Sequence, residues 1–320
     1  MSNSSGTRRS TTESLSYTVG APPVNDPRYW LQRPYMEATH VPAAWKRLLS
    51  TRVKRHRVTV GIVDSGVQPD HPDLVANLVE GYNVVKKNSD TDDTTGHGTA
   101  MAGIIGATIN NSIGIAGVMD LVNIMPISVD WGFTERHEYL AADYAIRNKE
   151  AKDFKILLMA FSGEEERPLF FKKLKEANNA GILMIVTAGN TGKNTTIEKR
   201  FPCALTEQLN GMICVAATEQ VEMRLVAESS FANYVDIAAP GFNISTTYLG
   251  GQYAAVNGTS SAAAFIAGVA AMLFSLAPDL SSSDAKKILK QTAKKGLKVA
   301  TGQGPALPFG RVDADAVLPS

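Results

Sequence analysis

VTVGIVD, residues 58–64, is an almost unbroken apolar run that closes on an acid. A strand with one face in water alternates apolar and polar residues; a run this uniform suits a parallel strand covered on both faces. The same character returns in LVNIMPISV (121–129), KILLMAFS (155–162), GILMIVTAG (181–189) and GMICVAAT (211–218). Between these runs lie HEYLAADYAIRNKEA (137–151) and RPLFFKKLKEANNA (167–180), whose apolar residues recur three and four apart as on a helix. Strand and helix in alternation predict an α/β fold: three layers, α/β/α, around a central, mostly parallel sheet. SSSDAKKILKQTAKK (281–295) follows as an amphipathic helix with a Ser/Asp start.

The chain has 320 residues, 44% of them hydrophobic, enough to bury a large core. Its 32 Lys and Arg against 31 Asp and Glu leave no overall field to favour nucleic acid or an anionic membrane. The one basic cluster, TRVKRHR (51–57), reads as a solvated turn before a strand. The longest apolar run, Ala262 to Leu276, contains Gly268 and Ser275 and falls short of the roughly 20 residues a bilayer crossing needs, so it reads as a core helix. Residues 1–25 are polar, rich in Ser and Thr and without a hydrophobic segment; they are expected to be a flexible leader or pro-segment remnant, ahead of one domain over 26–320. Cys203 and Cys214 leave one disulfide and two buried thiols both open, the thiols being preferred.

Reacting groups in such sheets collect at the carboxyl ends of the strands. Asp64 ends its strand there, and an acid closing so apolar a run is costly to bury without a partner; by itself it also reads as a turn aspartate. His97 lies between glycines in GHGTAMAGIIGA (96–107), at a helix start where an imidazole titrates near neutrality. Alone, a histidine between glycines is more often structural or a metal ligand, and the lack of a spaced second ligand weakens the metal reading. Ser260, in NGTSSAAAFIAG (257–268), sits where a helix N-terminus offers N–H groups to an oxyanion. A hydroxyl there needs a base to become a nucleophile. Ser261 lies about 100° further round the helix.

Taken together, VGIVDSGVQPDHPDL (60–74), GHGTAMAGIIGA, VTAGN (186–190), VDIAAPG (235–241) and NGTSSAAAFIAGVAAML (257–273) resemble, in order, the motifs of subtilisin-like serine proteases. The likeness spans about residues 25–318 and implies an endopeptidase. In it Ser260 is the nucleophile, His97 the general base and acid, Asp64 the group that orients His97, and Asn190 a donor to the oxyanion. The chain departs from the pattern at Ser261, where the family usually has Met, and at Ala264 and Phe265, where Pro and His are common. The resemblance also places an extended substrate against Ala160, Phe161, Ser162 and Gly163, with Gly189 and Thr259 nearby. Ser162 replaces a family glycine and narrows the first specificity pocket, while Glu198 in the 192–202 stretch is a candidate for favouring basic residues on its floor.

Further implications of the likeness are a structural Ca²⁺ held by Asp73, Asn111 and the carbonyls of Ile109, Ile113 and Ile115, with Asp26 as a further ligand or, alternatively, a helix cap. Others are polypeptide substrates, an inhibitory pro-segment of a zymogen, a monomer without nucleic-acid or membrane partners, and an extracellular or vesicular location. The rival reading is a catalytically silent relative that only binds peptides in the cleft. It has no need of an intact Asp64, His97, Ser260 and Asn190. Transfer of the acyl group to another amine would use the same nucleophile.

Overall fold

A computed structural model describes residues 23–130 and 134–319. In chain order it contains α1 (Tyr29–Ala38), α2 (Val41–Ser50), β1 (Val58–Asp64), β2 (Tyr82–Asn83), α3 (His97–Gly106), β3 (Val122–Ser128), α4 (Glu135–Asn148) and β4 (Phe154–Met159). There follow α5 (Pro168–Asn179), β5 (Leu183–Thr187), β6 (Met212–Thr218), β7 (Ile237–Pro240), β8 (Ile244–Tyr248), β9 (Gln252–Val256), α6 (Thr259–Leu276) and α7 (Ser282–Thr292). The leader expected over 1–25 falls almost entirely outside the described residues.

The central sheet has seven strands in the order β2-β3-β1-β4-β5-β6-β7, and every pairing is parallel. Each strand alternates its side chains between two cores. Val60 and Ile62 of β1, with Ile156 and Leu158 of β4, join the core beneath α3 and α6. Val63, Leu157 and Met159 join the one beneath α4 and α5. Burial on both faces is the physical cause of the uniform apolar runs, each such side chain contributing about 1.5–3 kcal/mol.

Strand β1 lies between β3 and β4, and the chain builds outward from it in both directions, so the crevice at its carboxyl end is the topological switch point. The turns after β1, β4 and β5 open at that end, as do the first turns of α3 and α6. Helix α6 is long and apolar enough to cross a membrane by composition, yet nearly all of it is buried, as a core helix is.

Three expectations need correction or refinement. Helix α4 begins at Glu135, two residues before its apolar pattern, because Thr134 caps it by accepting the His137 N–H at 3.2 Å. The basic stretch 51–57 is not simply solvated: Arg55 pairs with Asp120, and an Arg57 N–H donates to Asn77 at 3.1 Å. Cys203 and Cys214 are not free thiols; their Cα atoms are 5.0 Å apart and they form a disulfide.

Candidate active site

Asp64 is the last residue of β1 and only 1% exposed. Its carboxylate accepts the Ser65 N–H at 2.8 Å, and both of its oxygens lie 2.8 Å from His97 Nδ1. A carboxylate can only accept, so Nδ1 carries the proton and Nε2 keeps its lone pair. Gly98 makes this approach possible: a Cβ there would sit 2.0 Å from the Gly66 carbonyl oxygen and 3.1 Å from Asp64 Cβ. Burial pulls the His97 pKa down, but the Asp64 charge and hydrogen bond, helped by the Asp93 charge, outweigh it and raise the pKa above its ordinary 6.5.

Asp93 was not singled out by the sequence reading. Gly96, the residue that caps α3, has no side chain with which to do so, and Asp93 supplies the acceptors. Its carboxylate takes the Thr99 N–H at 2.9 Å, the Thr99 hydroxyl at 2.7 Å, the Gly96 N–H at 2.9 Å and the Ser65 hydroxyl at 2.8 Å. Burial alone would raise its pKa, but these bonds prevail and hold it below the usual 3.8. An acid a few residues ahead of Gly96-His97 is the sequence signal for this cap.

Ser260 lies in the first turn of α6, behind Gly258, whose φ of 118° suits glycine. A Cβ at Gly258 would sit 3.1 Å from Asn190 Nδ2. Thr259 is wholly buried and donates both its N–H and its hydroxyl to Asn190 Oδ1, each at 2.9 Å. With Oδ1 occupied, Nδ2 is the end of the amide free to donate. Ser260 Oγ donates to the Ala160 carbonyl at 2.9 Å, and among the described residues nothing joins it to His97. Ser261 is buried, and its hydroxyl has no hydrogen-bond partner among them.

His97, Asn190 and Ser260 line one cleft of about 360 Å³, together with Ala160, Phe161, Ser162 and Arg200. Of the other expected substrate residues, Gly163 exchanges two backbone hydrogen bonds with Phe201 (2.8 and 2.9 Å), and Gly189 and Thr259 are buried next to the cleft residues Asn190 and Ser260 that follow them in the chain. Glu198 is not on the floor; it lines a neighbouring hollow. The charged side chain from that loop which does reach the cleft is Arg200, a residue the sequence reading passed over.

Past the other end of α3, where the Thr108 N–H donates to the Asp73 carbonyl, Asp73 Oδ1 accepts from the Asn111 amide at 2.7 Å, and Oδ2 accepts from the Ile115 N–H at 3.0 Å and the Tyr253 hydroxyl at 3.2 Å. Asp26 accepts the Asn110 and Asn111 N–H groups at 3.0 and 3.3 Å. Burial raises the pKa of both acids, and the Asp26 charge adds to the rise at Asp73. Both carboxylates are buried, and among the described residues no basic side chain is bonded to either, so a hard cation bound there would offset their charge. Asp26 at the same time makes the backbone-capping contacts of the alternative reading. Among the described residues no three His, Cys, Asp or Glu converge on a metal position.

Residues 55–310 match the subtilase family. Thermitase from Thermoactinomyces vulgaris is 32% identical over 294 residues, covering 91% of this chain and 97% of its own length. The intracellular serine protease of Paenibacillus polymyxa is 32% identical over 250 residues, 76% of this chain and 72% of that protein. Two other curated relatives are longer, and the chain spans 60% and 61% of their lengths. Among solved structures, a protease from Pseudoalteromonas arctica superposes with a TM-score of 0.79 over 93% of this chain and 99% of that one at 24% identity, which speaks for the fold alone.

Proposed function

The chain belongs to the subtilase family and is a hydrolase of peptide bonds, and on that premise we propose that Ser260, His97, Asp64 and Asn190 carry its reaction as a serine endopeptidase. The observation that carries the assignment is the doubly bonded Asp64 to His97 contact, at 2.8 Å, beside a cleft that also holds Ser260 and Asn190.

Substrate displaces the Ser260 hydroxyl from the Ala160 carbonyl and turns it toward His97 Nε2. His97 takes the proton as Oγ attacks the scissile carbonyl, and Asp64 stabilises the imidazolium that forms. The negative charge passes to the carbonyl oxygen, where Asn190 Nδ2 and the Ser260 N–H donate to it at the positive end of α6. Collapse breaks the C–N bond, and His97 gives the proton to the departing amine. Water repeats the steps on the acyl ester. Hydrolysis of an unfolded protein such as casein tests this. Wild type and Ser261→Ala should cleave it while Ser260→Ala does not; binding without cleavage by wild type would support the silent-relative reading instead.

Asp73, Asn111 and the carbonyls of Ile109, Ile113 and Ile115, with Asp26, would hold Ca²⁺, whose charge would offset the two buried carboxylates. Chelation is expected to lower Tm by about 5–10 °C, as loss of a ligand at some hundred times its Kd does. An unchanged Tm rejects the site. The disulfide agrees with an oxidising, extracellular or vesicular compartment.

A further inference from the structure

We infer that Arg200 makes the cleft selective for substrates with an acidic side chain at P1, the residue whose carbonyl Ser260 attacks; this rests on the peptidase reading above. Arg200 lines the cleft with Ser260, Asn190 and Ser162, and its side chain is only 14% exposed. One end of its guanidinium is taken: Nη1 donates to Glu164 at 2.6 Å. Nε is buried and has no acceptor among the described residues, and no described residue accepts from Nη2. Nε and Nη2 form the side edge of the guanidinium, the fork that binds a carboxylate with two parallel hydrogen bonds.

That edge lies where a P1 side chain would arrive. A methyl on Gly189, the residue before the oxyanion donor Asn190, would be 3.4 Å from Arg200 Nε, 3.1 Å from Ser162 Oγ and 3.5 Å from Ser230 Oγ. A cationic edge and the Ser162 hydroxyl thus meet over a bare glycine, with the buried Ser230 hydroxyl behind them paired with Thr191 at 2.9 Å. The P1 side chain begins one bond from the carbonyl under attack, so a P1 Asp or Glu brings its carboxylate into this group of donors. The hydroxyl of Ser162 adds a donor and narrows the space for a large apolar side chain, while a P1 Lys or Arg meets a like charge. Glu164 is 82% exposed and holds the opposite end of the guanidinium, so it steadies Arg200 without filling the fork. Lys193, Glu198 and Lys199 line the hollow on its other side, Lys199 being paired with Glu207.

The test is a set of fluorogenic peptides that differ only at P1 (Glu, Asp, Gln, Ala, Phe, Lys), with fluorophosphonate labelling of Ser260 measured in parallel. Wild type is expected to show a kcat/KM for P1 Glu or Asp roughly 10- to 100-fold above Gln, and further above Lys. Arg200→Ala should erase that order, Arg200→Lys should keep part of it, and Arg200→Glu should turn it toward Lys. Labelling with a wild-type preference for P1 Phe or Lys, or an equal rise for every P1 class in Arg200→Ala, would overturn the inference and leave the peptidase reading standing. No labelling and no cleavage of any peptide would overturn both. If Arg200→Ala does not fold, the wild-type ranking decides alone.

Discussion

The two ends of the cleft are built differently. At the acid–base end, Asp64 and His97 are fixed by strand β1, by helix α3, by a glycine that admits no Cβ, and by the Asp93 and Ser65 network beneath. At the other end a single guanidinium, carried by a loop and steadied by one exposed glutamate, sets the charge. The positions proposed to perform chemistry are held from several sides at once and should tolerate little change. The side chain proposed to select substrate hangs on one ion pair, and replacing it should alter preference without removing catalysis.

The largest expected effect breaks the fixed end. Asp64→Asn removes both the charge and the tautomer control, and should lower kcat by about 10⁴-fold, the size of the triad-aspartate substitution in a Ser-His-Asp protease. A loss under tenfold would mean His97 is oriented by something else. Asn190→Ala should cost on the order of 10²–10³ in kcat with little change in KM, as losing one oxyanion donor does; a rise in KM alone would make Asn190 a substrate-binding residue.

Asp93→Ala asks whether the support beneath is structural. It should destabilise the protein by about 3 kcal/mol in denaturant melts, because buried hydrogen bonds to a charged group and a helix cap are lost together. The sign with pH follows from its lowered pKa: the stabilisation is complete above the ordinary carboxylate pKa and disappears as pH falls through the folded value below it. Ser261→Ala is the smallest change. Removing a buried hydroxyl with no partner should stabilise by about 1 kcal/mol and leave hydrolysis unchanged; destabilisation would reveal a bond to that hydroxyl.

What the sequence disclosed follows the same division. Strands β1, β3, β4, β5 and β6 were legible because burial on both faces leaves an unbroken apolar run, and β1 falls on the bounds read for it. Asp64, His97 and Ser260 stood out because each sits where a strand ends or a helix begins, next to glycines with a steric reason to be there. Arg200 was missed, and Glu198 read in its place, because both lie in an irregular stretch with no periodicity to say which side chain turns inward. Asp93 was legible in principle from its spacing to Gly96. The disulfide was not, since two cysteines eleven positions apart carry no geometry until Cys214 is seated in β6 with Cys203 packed beside it.

The most direct test is the second-order rate of fluorophosphonate labelling of Ser260 between pH 5 and 9, flanking the ordinary imidazole value. If His97 activates Ser260 and Asp64 holds the imidazole proton, the rate should rise with loss of one proton at a midpoint above 6.5, and Ser260→Ala should take no label. A rate that ignores pH over that range, or a midpoint well below 6.5, would contradict the claim that this histidine is the base.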